Sequence, residues 1–123
     1  MFGFLKLKGD VIRNDAILFE KEENWGPCPR YATCRQSTKL YYSGRLIQEG
    51  DTKQKRQLDK EIIDEIINKI EDTGVMNKDC STLPVEDYGA TYKINVNNQE
   101  KIIEFPGCED ELRGIEKLIP LDR

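Results

Sequence analysis

The sequence contains no histidine among its 123 residues. Histidine supplies the general base in Ser-His-Asp and Cys-His catalysis, ligates many metals and titrates near neutral pH. Its absence excludes these catalytic arrangements, histidine-ligated metal sites and histidine pH switches. A Gly-rich phosphate loop is missing as well. We therefore predict a protein with no catalytic residues and no cofactor.

Long hydrophobic runs are also missing. No stretch approaches the ~20 apolar residues that would span a bilayer. Residues 1–8, MFGFLKLK, hold five apolar side chains that are interrupted by a glycine and a lysine, and so they fall short of the ~7–15-residue apolar core of a signal peptide. We expect no membrane span and a cytoplasmic location. A mature secreted or envelope protein remains the alternative, because an N-terminal Met can replace a removed leader.

Positive charge is in slight deficit, with 19 Lys and Arg against 23 Asp and Glu, so the net charge is −4. This acidity argues against nucleic acid as a partner, because phosphate backbones attract basic surfaces. The length and the 37% hydrophobic content indicate one folded domain over residues 1–123. We predict that residues 1–14 form a loosely attached N-terminal arm.

No Cys-x-x-Cys motif accompanies the four cysteines, Cys28, Cys34, Cys80 and Cys108. The spacing therefore lacks the usual mark of a structural zinc site or a thioredoxin-like redox pair. Three interpretations stay open at this point. In the first, the cysteines are buried thiols. In the second, they form one or two disulfides with unknown pairing. In the third, all four bind a metal.

Strands are indicated by β-branched, aromatic and alternating apolar residues. The first, at the apolar run after Asp15, reads as a strand that is buried on both faces or lies at the centre of a sheet. Ser43-Gly44 and Asn97-Asn98 are tight-turn signals, and each predicts a β-hairpin. The lysine-rich fourth segment reads as an edge strand. The predicted strands cover residues 15–22, 38–42, 45–49, 53–58, 90–96 and 99–105.

Isoleucines recur at helical spacing over residues 59–73, with charged residues on the other face. Asp59 is a suitable N-cap residue and Gly74 a suitable left-handed C-cap. A shorter helix is predicted over residues 109–119. In the loop over residues 77–89, Leu83 and Val85 are expected to dip into the core. The fold class is therefore α+β, an antiparallel sheet of five to six strands with two helices on one face.

Several short motifs then share one order along the chain. They are a Gly-Pro-Cys-Pro-Arg-Tyr turn at residue 26, a Gly-turned hairpin at residue 44, the isoleucine helix, and a late hairpin followed by a short helix. Over residues 26–121 the chain resembles an uncharacterised prokaryotic family of domains of unknown function. The resemblance implies this fold and a cell-envelope setting, and it supplies no catalytic residues.

Candidate binding residues lie on two loops. Aromatic residues on stiff, proline-containing loops are typical interface anchors. The predicted partner-binding residues are Trp25, Pro27, Pro29, Tyr31 and Tyr88, with residues 83–89 as the second loop. We expect a non-catalytic protein-binding or inhibitor-like module, monomeric or weakly homodimeric, with an unknown protein partner.

Two other classes are weighed against this one. The first is a cysteine-based metal-binding or redox-sensitive protein, in which Cys28, Cys34, Cys80 and Cys108 would converge. The second is an enzyme using paired carboxylates, either at residues 86–87 or at residues 109–111. Neither acidic run has the spacing of an EF-hand, and acids at the start of a helix are ordinarily solvated.

Overall fold

The computed structural model describes residues 16–121. The predicted N-terminal arm, residues 1–14, lies outside the described residues. The described chain forms one six-stranded antiparallel sheet and two α-helices, which confirms the predicted α+β class. The order of strands across the sheet is β4-β3-β2-β1-β5-β6. Neither helix has the length and apolarity to cross a membrane in this part of the chain.

The elements follow the predicted order with small shifts of their ends. A three-residue 3₁₀ helix, Val75–Asn77, follows the first α-helix. The strands are β1 (Ile17–Trp25), β2 (Arg35–Tyr41), β3 (Arg45–Gly50), β4 (Gln54–Gln57), β5 (Tyr88–Val96) and β6 (Gln99–Glu104), and the helices are α1 (Lys60–Thr73) and α2 (Glu109–Glu116).

Strand β1 lies at the centre of the sheet, as predicted, between β2 and β5. It runs to Trp25, beyond the predicted end at residue 22, because β2 pairs with it as far as Asn24 and β5 as far as Trp25. The register slips at Leu18, where a bulge lets Leu18 and the next residue, Phe19, both lie fully buried.

The two predicted hairpins are confirmed. Asn97 and Asn98 both have positive φ, 54° and 63°, as a primed two-residue turn requires. At the first hairpin, Gly44 has a φ of 95°, and a Cβ there would collide with the Leu58 carbonyl oxygen. Only glycine fits this turn, because the chain leading into α1 crosses directly over it.

Helix α1 buries Ile63, Ile66 and Ile70 against the sheet. Its C-terminus is capped by Gly74 in the left-handed conformation, as predicted. At the N-terminus the expectation is corrected in part. Asp59 occupies the N-cap position, but its side chain makes no capping hydrogen bond, and its backbone carbonyl accepts from Ile62 and Ile63.

Two loop residues correct the sequence prediction. Leu83 is 84% exposed and Val85 is 46% exposed, so neither dips into the core. The core cluster is formed without them, by residues such as Val75, Ile115 and Ile103, which are fully or almost fully buried. The apolar character of Leu83 and Val85 therefore did not indicate burial, because both side chains lie on the exposed surface of the loop.

The inner face of the sheet, on the side of the helices, changes character along the strands. One cross-strand row is apolar and buried: Leu46, Leu40, Phe19 and Ile94. The next two rows are largely polar, and they are Gln48, Thr38, Lys21 and Tyr92, then Gln36, Glu23 and Ala90. Polar side chains on a buried face are uncommon, so this half of the sheet is a candidate for function.

Candidate functional site

Three loops meet at the end of the sheet where β1 ends and β5 begins. Backbone hydrogen bonds join them: Trp25 N–H donates to the Cys34 carbonyl at 3.1 Å, and Gly26 N–H donates to the Asp87 carbonyl at 3.2 Å. The β3–β4 turn joins through Asp51 N–H, which donates to the Arg35 carbonyl at 3.2 Å. We call residues 26–34 and 78–87 the loop surface.

A disulfide anchors each segment of the loop surface. Cys28 pairs with Cys34 across a Cα–Cα distance of 5.9 Å, and Cys80 pairs with Cys108 across 5.0 Å. All four cysteines are therefore bonded in two separate pairs, and the four-thiolate arrangement is not formed. Over residues 16–121 no group of three or more acidic or cysteine side chains is placed to hold a metal ion.

The second disulfide is supported by a close backbone approach. Gly107 precedes Cys108, and a Cβ on Gly107 would overlap the Cys80 carbonyl oxygen. The absence of a side chain at Gly107 therefore lets residue 80 reach the chain that leads into α2. This contact fixes the start of the long loop, while the hydrogen bond at Asp87 fixes its end.

The predicted partner-binding residues divide into two groups. Trp25 and Tyr88 are direct cross-strand neighbours at the end of β1 and β5, and both are half-buried. Pro27, Pro29 and Tyr31 lie on the first loop and are exposed, with Tyr31 exposed over 93% of its surface. The structure thus places all five at one end of the sheet, and their role in binding stays a prediction.

A crevice of about 520 Å³ lies between the two loops. One wall contains Trp25 and Gly26, and the other contains Thr82, Pro84 and Val85. From residue 79 to residue 85 the chain has no turn or bend, and all side chains of residues 81–87 are exposed. The long loop is therefore an extended segment held at both ends.

Behind the loop surface, the inner face carries a buried ionic cluster that the sequence analysis missed. Lys21 is only 6% exposed. Its Nζ lies 2.8 Å from Glu116 Oε2 and 3.5 Å from Glu23 Oε1, and 5.1 Å from the centre of the Tyr92 ring. Tyr88 Oη donates to Glu23 at 2.7 Å, and Tyr92 Oη donates to Glu116 at 3.4 Å. A cavity of about 490 Å³ opens onto this cluster beside α2.

The cluster changes the ionisation of its members. Burial by itself lowers the pKa of Lys21, but the hydrogen bond to Glu116 and the charges of Glu116 and Glu23 outweigh it, so the pKa is raised. Burial, with the neighbouring carboxylates, raises the pKa of Tyr88 and that of Tyr92. Both phenols therefore stay protonated and serve as hydrogen-bond donors at neutral pH.

A signal for the cluster was present in the sequence. Phe19, Lys21, Glu23 and Trp25 alternate with Glu20, Glu22 and Asn24, so one face of a longer β1 carries the first four side chains. The predicted strand already placed Lys21 on the same face as Phe19, and extending it by three residues would have added Glu23 to that face. Glu116 lies 95 positions away from Lys21 in the chain, and no local pattern links the two.

The carboxylate runs considered above do not form a paired site. Glu109 is ion-paired with Arg113, and Lys78 Nζ lies 2.5 Å from Glu111 Oε2. The hydrogen bond from Lys78 lowers the pKa of Glu111. Residues 86 and 87 form an exposed turn beside β5. These acids therefore stabilise helix and loop positions.

No protein-family model and no curated protein matches this chain. The resemblance to an uncharacterised prokaryotic family therefore stays a prediction.

Proposed function

We propose that the protein is a non-catalytic binding module for another protein, and that the loop surface makes the contact. The observation that carries the proposal is the exposure of Tyr31 and Leu83, at 93% and 84%. Aromatic residues are enriched at the energetic centres of interfaces, and Tyr31 is available to a partner on the first loop.

The anchoring of the two loops supports this proposal. Each carries a disulfide, and a backbone hydrogen bond from Gly26 to Asp87 couples them. A loop held in one shape before binding loses less conformational entropy in the complex, so its contacts contribute more to affinity. The extended conformation of residues 79–85 suits insertion into a cleft, which agrees with an inhibitor-like mode.

The disulfides also bear on the compartment. Disulfides form and persist in oxidising environments and are rare where thiols are kept reduced. We propose that the protein works in a secreted or envelope setting, in place of the cytoplasmic location expected from residues 1–8. The test is the intact mass after alkylation of natively purified protein, which should gain no adduct. Alkylation at all four cysteines would contradict the proposal.

The binding proposal is tested by affinity capture with immobilised variants. Tyr31→Ala and Leu83→Ala should both lose a protein that the unaltered chain retains. Ile102→Ala is the matched control, because Ile102 is an exposed apolar residue on β6, outside the loop surface. Identical sets of proteins captured by the unaltered chain and by all three variants would contradict the proposal.

A further inference from the structure

A second site lies on the inner face, on the other side of Trp25 from the loop surface. We propose that it binds a neutral saccharide. The site is a cavity of about 240 Å³ over strands β1, β2 and β3, and we call it the amide pocket. The side chains that carry the argument are Glu23, Trp25, Gln36, Thr38, Gln48 and Asp51.

The sheet register brings these side chains together. Gln48 faces Thr38 across β3 and β2, and Gln36 faces Glu23 across β2 and β1. Gln36, Thr38 and Gln48 are all buried. Polar groups held on a rigid sheet keep fixed directions, which is what a site needs to read hydroxyl positions.

Hydrogen bonds within the protein hold the side-chain amide of Gln36 in place, but they use only part of its hydrogen-bonding capacity. Its Nε2 donates to the Thr52 carbonyl at 2.9 Å, and its Oε1 accepts from Thr52 N–H at 2.9 Å. A glutamine amide has two N–H donors and two oxygen lone pairs. Gln36 therefore retains one donor and one acceptor for a ligand in the pocket.

The chemistry of the walls selects the ligand class. Among the described residues that line the amide pocket there is no Lys or Arg, so these residues offer no counter-charge to phosphate or carboxylate. Glu23 is charge-balanced by Lys21 at 3.5 Å, which weakens its attraction for an added cation. The remaining groups are amides, hydroxyls and carboxylates, which exchange hydrogen bonds with sugar hydroxyls.

An aromatic wall completes this match. Trp25 is half-buried and lines both this pocket and the crevice of the loop surface, and we expect its indole ring to supply an aromatic surface to the ligand. The apolar C–H face of a pyranose ring packs on such a surface, while its hydroxyls point to polar groups. Leu121 forms a further wall and separates the amide pocket from the cavity at Lys21.

The test uses Trp25 as the reporter, because it is the only tryptophan in the sequence. Its fluorescence is titrated with cellohexaose, maltohexaose and chitohexaose, and separately with arginine and inorganic phosphate. At least one oligosaccharide should give a saturable change with a Kd on the order of 1 mM. This Kd should be unchanged in 0.5 M NaCl, because screening does not act on an uncharged ligand.

Variants locate the site. Asp51→Ala should weaken saccharide binding about tenfold, as expected for a lost hydrogen bond to a charged group. Asp51→Asn keeps the shape of the side chain and should weaken binding less. Glu49→Ala is the matched control, because Glu49 is an exposed acid on the opposite face of neighbouring β3. Circular dichroism verifies that each variant is folded.

Three outcomes would overturn the proposal. The first is a flat titration with all three oligosaccharides. The second is saturation by arginine or phosphate in place of the sugars, since that would assign the pocket to a charged ligand. The third is equal saccharide affinity in Asp51→Ala and Glu49→Ala, which would place binding elsewhere. None of these results depends on capture of a protein by the loop surface.

Discussion

At the scale of the residue, Lys21 sets the electrostatics of the inner face. Its ammonium group stands between two carboxylates, Glu23 and Glu116, and beside the ring of Tyr92. In the described chain no buried side-chain nitrogen or oxygen lacks a hydrogen-bond partner. A buried charge that is fully paired is tolerated, whereas one that has lost its partner is costly.

Replacing Lys21 by Met should therefore destabilise the protein by about 3–5 kcal/mol, because Glu116, whose side chain is only 13% exposed, would lose its counter-charge. The measurement is urea unfolding at neutral pH. Adding Glu116→Gln to Lys21→Met should recover part of the loss, since the second change removes the unpaired charge. Lys60→Met is the control, because Lys60 pairs with Asp64 in an exposed position on α1. A Lys21→Met protein as stable as the unaltered chain would contradict the prediction.

Stability should fall at alkaline pH for the same reason. The pKa of Tyr88, that of Tyr92 and that of Lys21 are all raised in the folded state. Above the ordinary tyrosine value of 10.0, the unfolded chain binds fewer protons than the folded one, so the free energy of unfolding decreases as pH rises. Below that value this contribution is fully present.

Thermal unfolding between pH 8 and pH 11 measures this effect. Tyr92→Phe and Tyr88→Phe should each flatten the decline in Tm above pH 10. Tyr31→Phe is the control, because Tyr31 lies in solvent on the loop surface. A decline that is equally steep in Tyr92→Phe and in Tyr31→Phe would rule out the cluster as its source.

At the scale of the element, helix α1 depends on the sheet beneath it. Isoleucine is not a strong helix former, so this helix is stabilised mainly by burying its apolar stripe. Ile66 is fully buried, whereas Ile67 packs at the margin of the core. Ile66 therefore buries more apolar surface in the core than Ile67 does.

Ile66→Ala should cost about 2–5 kcal/mol of unfolding free energy, because it leaves a cavity that the packed core fills only in part. Ile67→Ala, one position along the same helix, should cost less than half as much. Denaturant unfolding of the two variants provides the comparison. Equal losses would mean that α1 is not seated on the sheet as described.

Features marked by a local sequence pattern were predictable, whereas features that depend on contacts between residues far apart in the chain were not. The isoleucine period gave α1, and Asn97-Asn98 gave the second hairpin, because both signals are local. Leu83 was placed wrongly, since hydrophobicity alone does not tell whether the core is already full. Lys21 was missed because its partner Glu116 comes from the far end of the chain.

The candidate site was predictable only in part, for the same physical reason. Proline and aromatic composition identified the first loop, and the structure places Tyr31 there in solvent. The amide pocket could not be foreseen, because its polar groups meet only through the register of three strands. A glutamine on a strand otherwise looks like an ordinary solvent-facing residue.

At the scale of the whole molecule, the two disulfides constrain unequal lengths of chain. Cys28 and Cys34 are separated by 6 positions, and Cys80 and Cys108 by 28. In the chain-entropy description, a longer closed loop removes more freedom from the unfolded state. The second disulfide should thus contribute more to stability.

Replacing Cys80 and Cys108 together by Ser should lower the free energy of unfolding by about 3.6 kcal/mol, and replacing Cys28 and Cys34 by about 2.2 kcal/mol. Denaturant unfolding of the two double variants under non-reducing conditions gives both values. If the Cys28/Cys34 variant lost more unfolding free energy than the Cys80/Cys108 variant, the shorter disulfide loop would stabilise the protein by more than chain entropy accounts for.

Because β1 lies at the centre of the sheet, one of its edges can pair only after β5 has been synthesised. Strands β1 to β4 emerge from the ribosome as a four-stranded half, yet one edge of β1 must wait for β5. Glu23 and Tyr88, which meet across that boundary, are 65 positions apart, so translation separates their synthesis by roughly 3–13 s. An unpaired edge is a template for association with other chains. The arrival of β5 therefore covers the edge of β1, and β6 then pairs with β5 and becomes the outer strand.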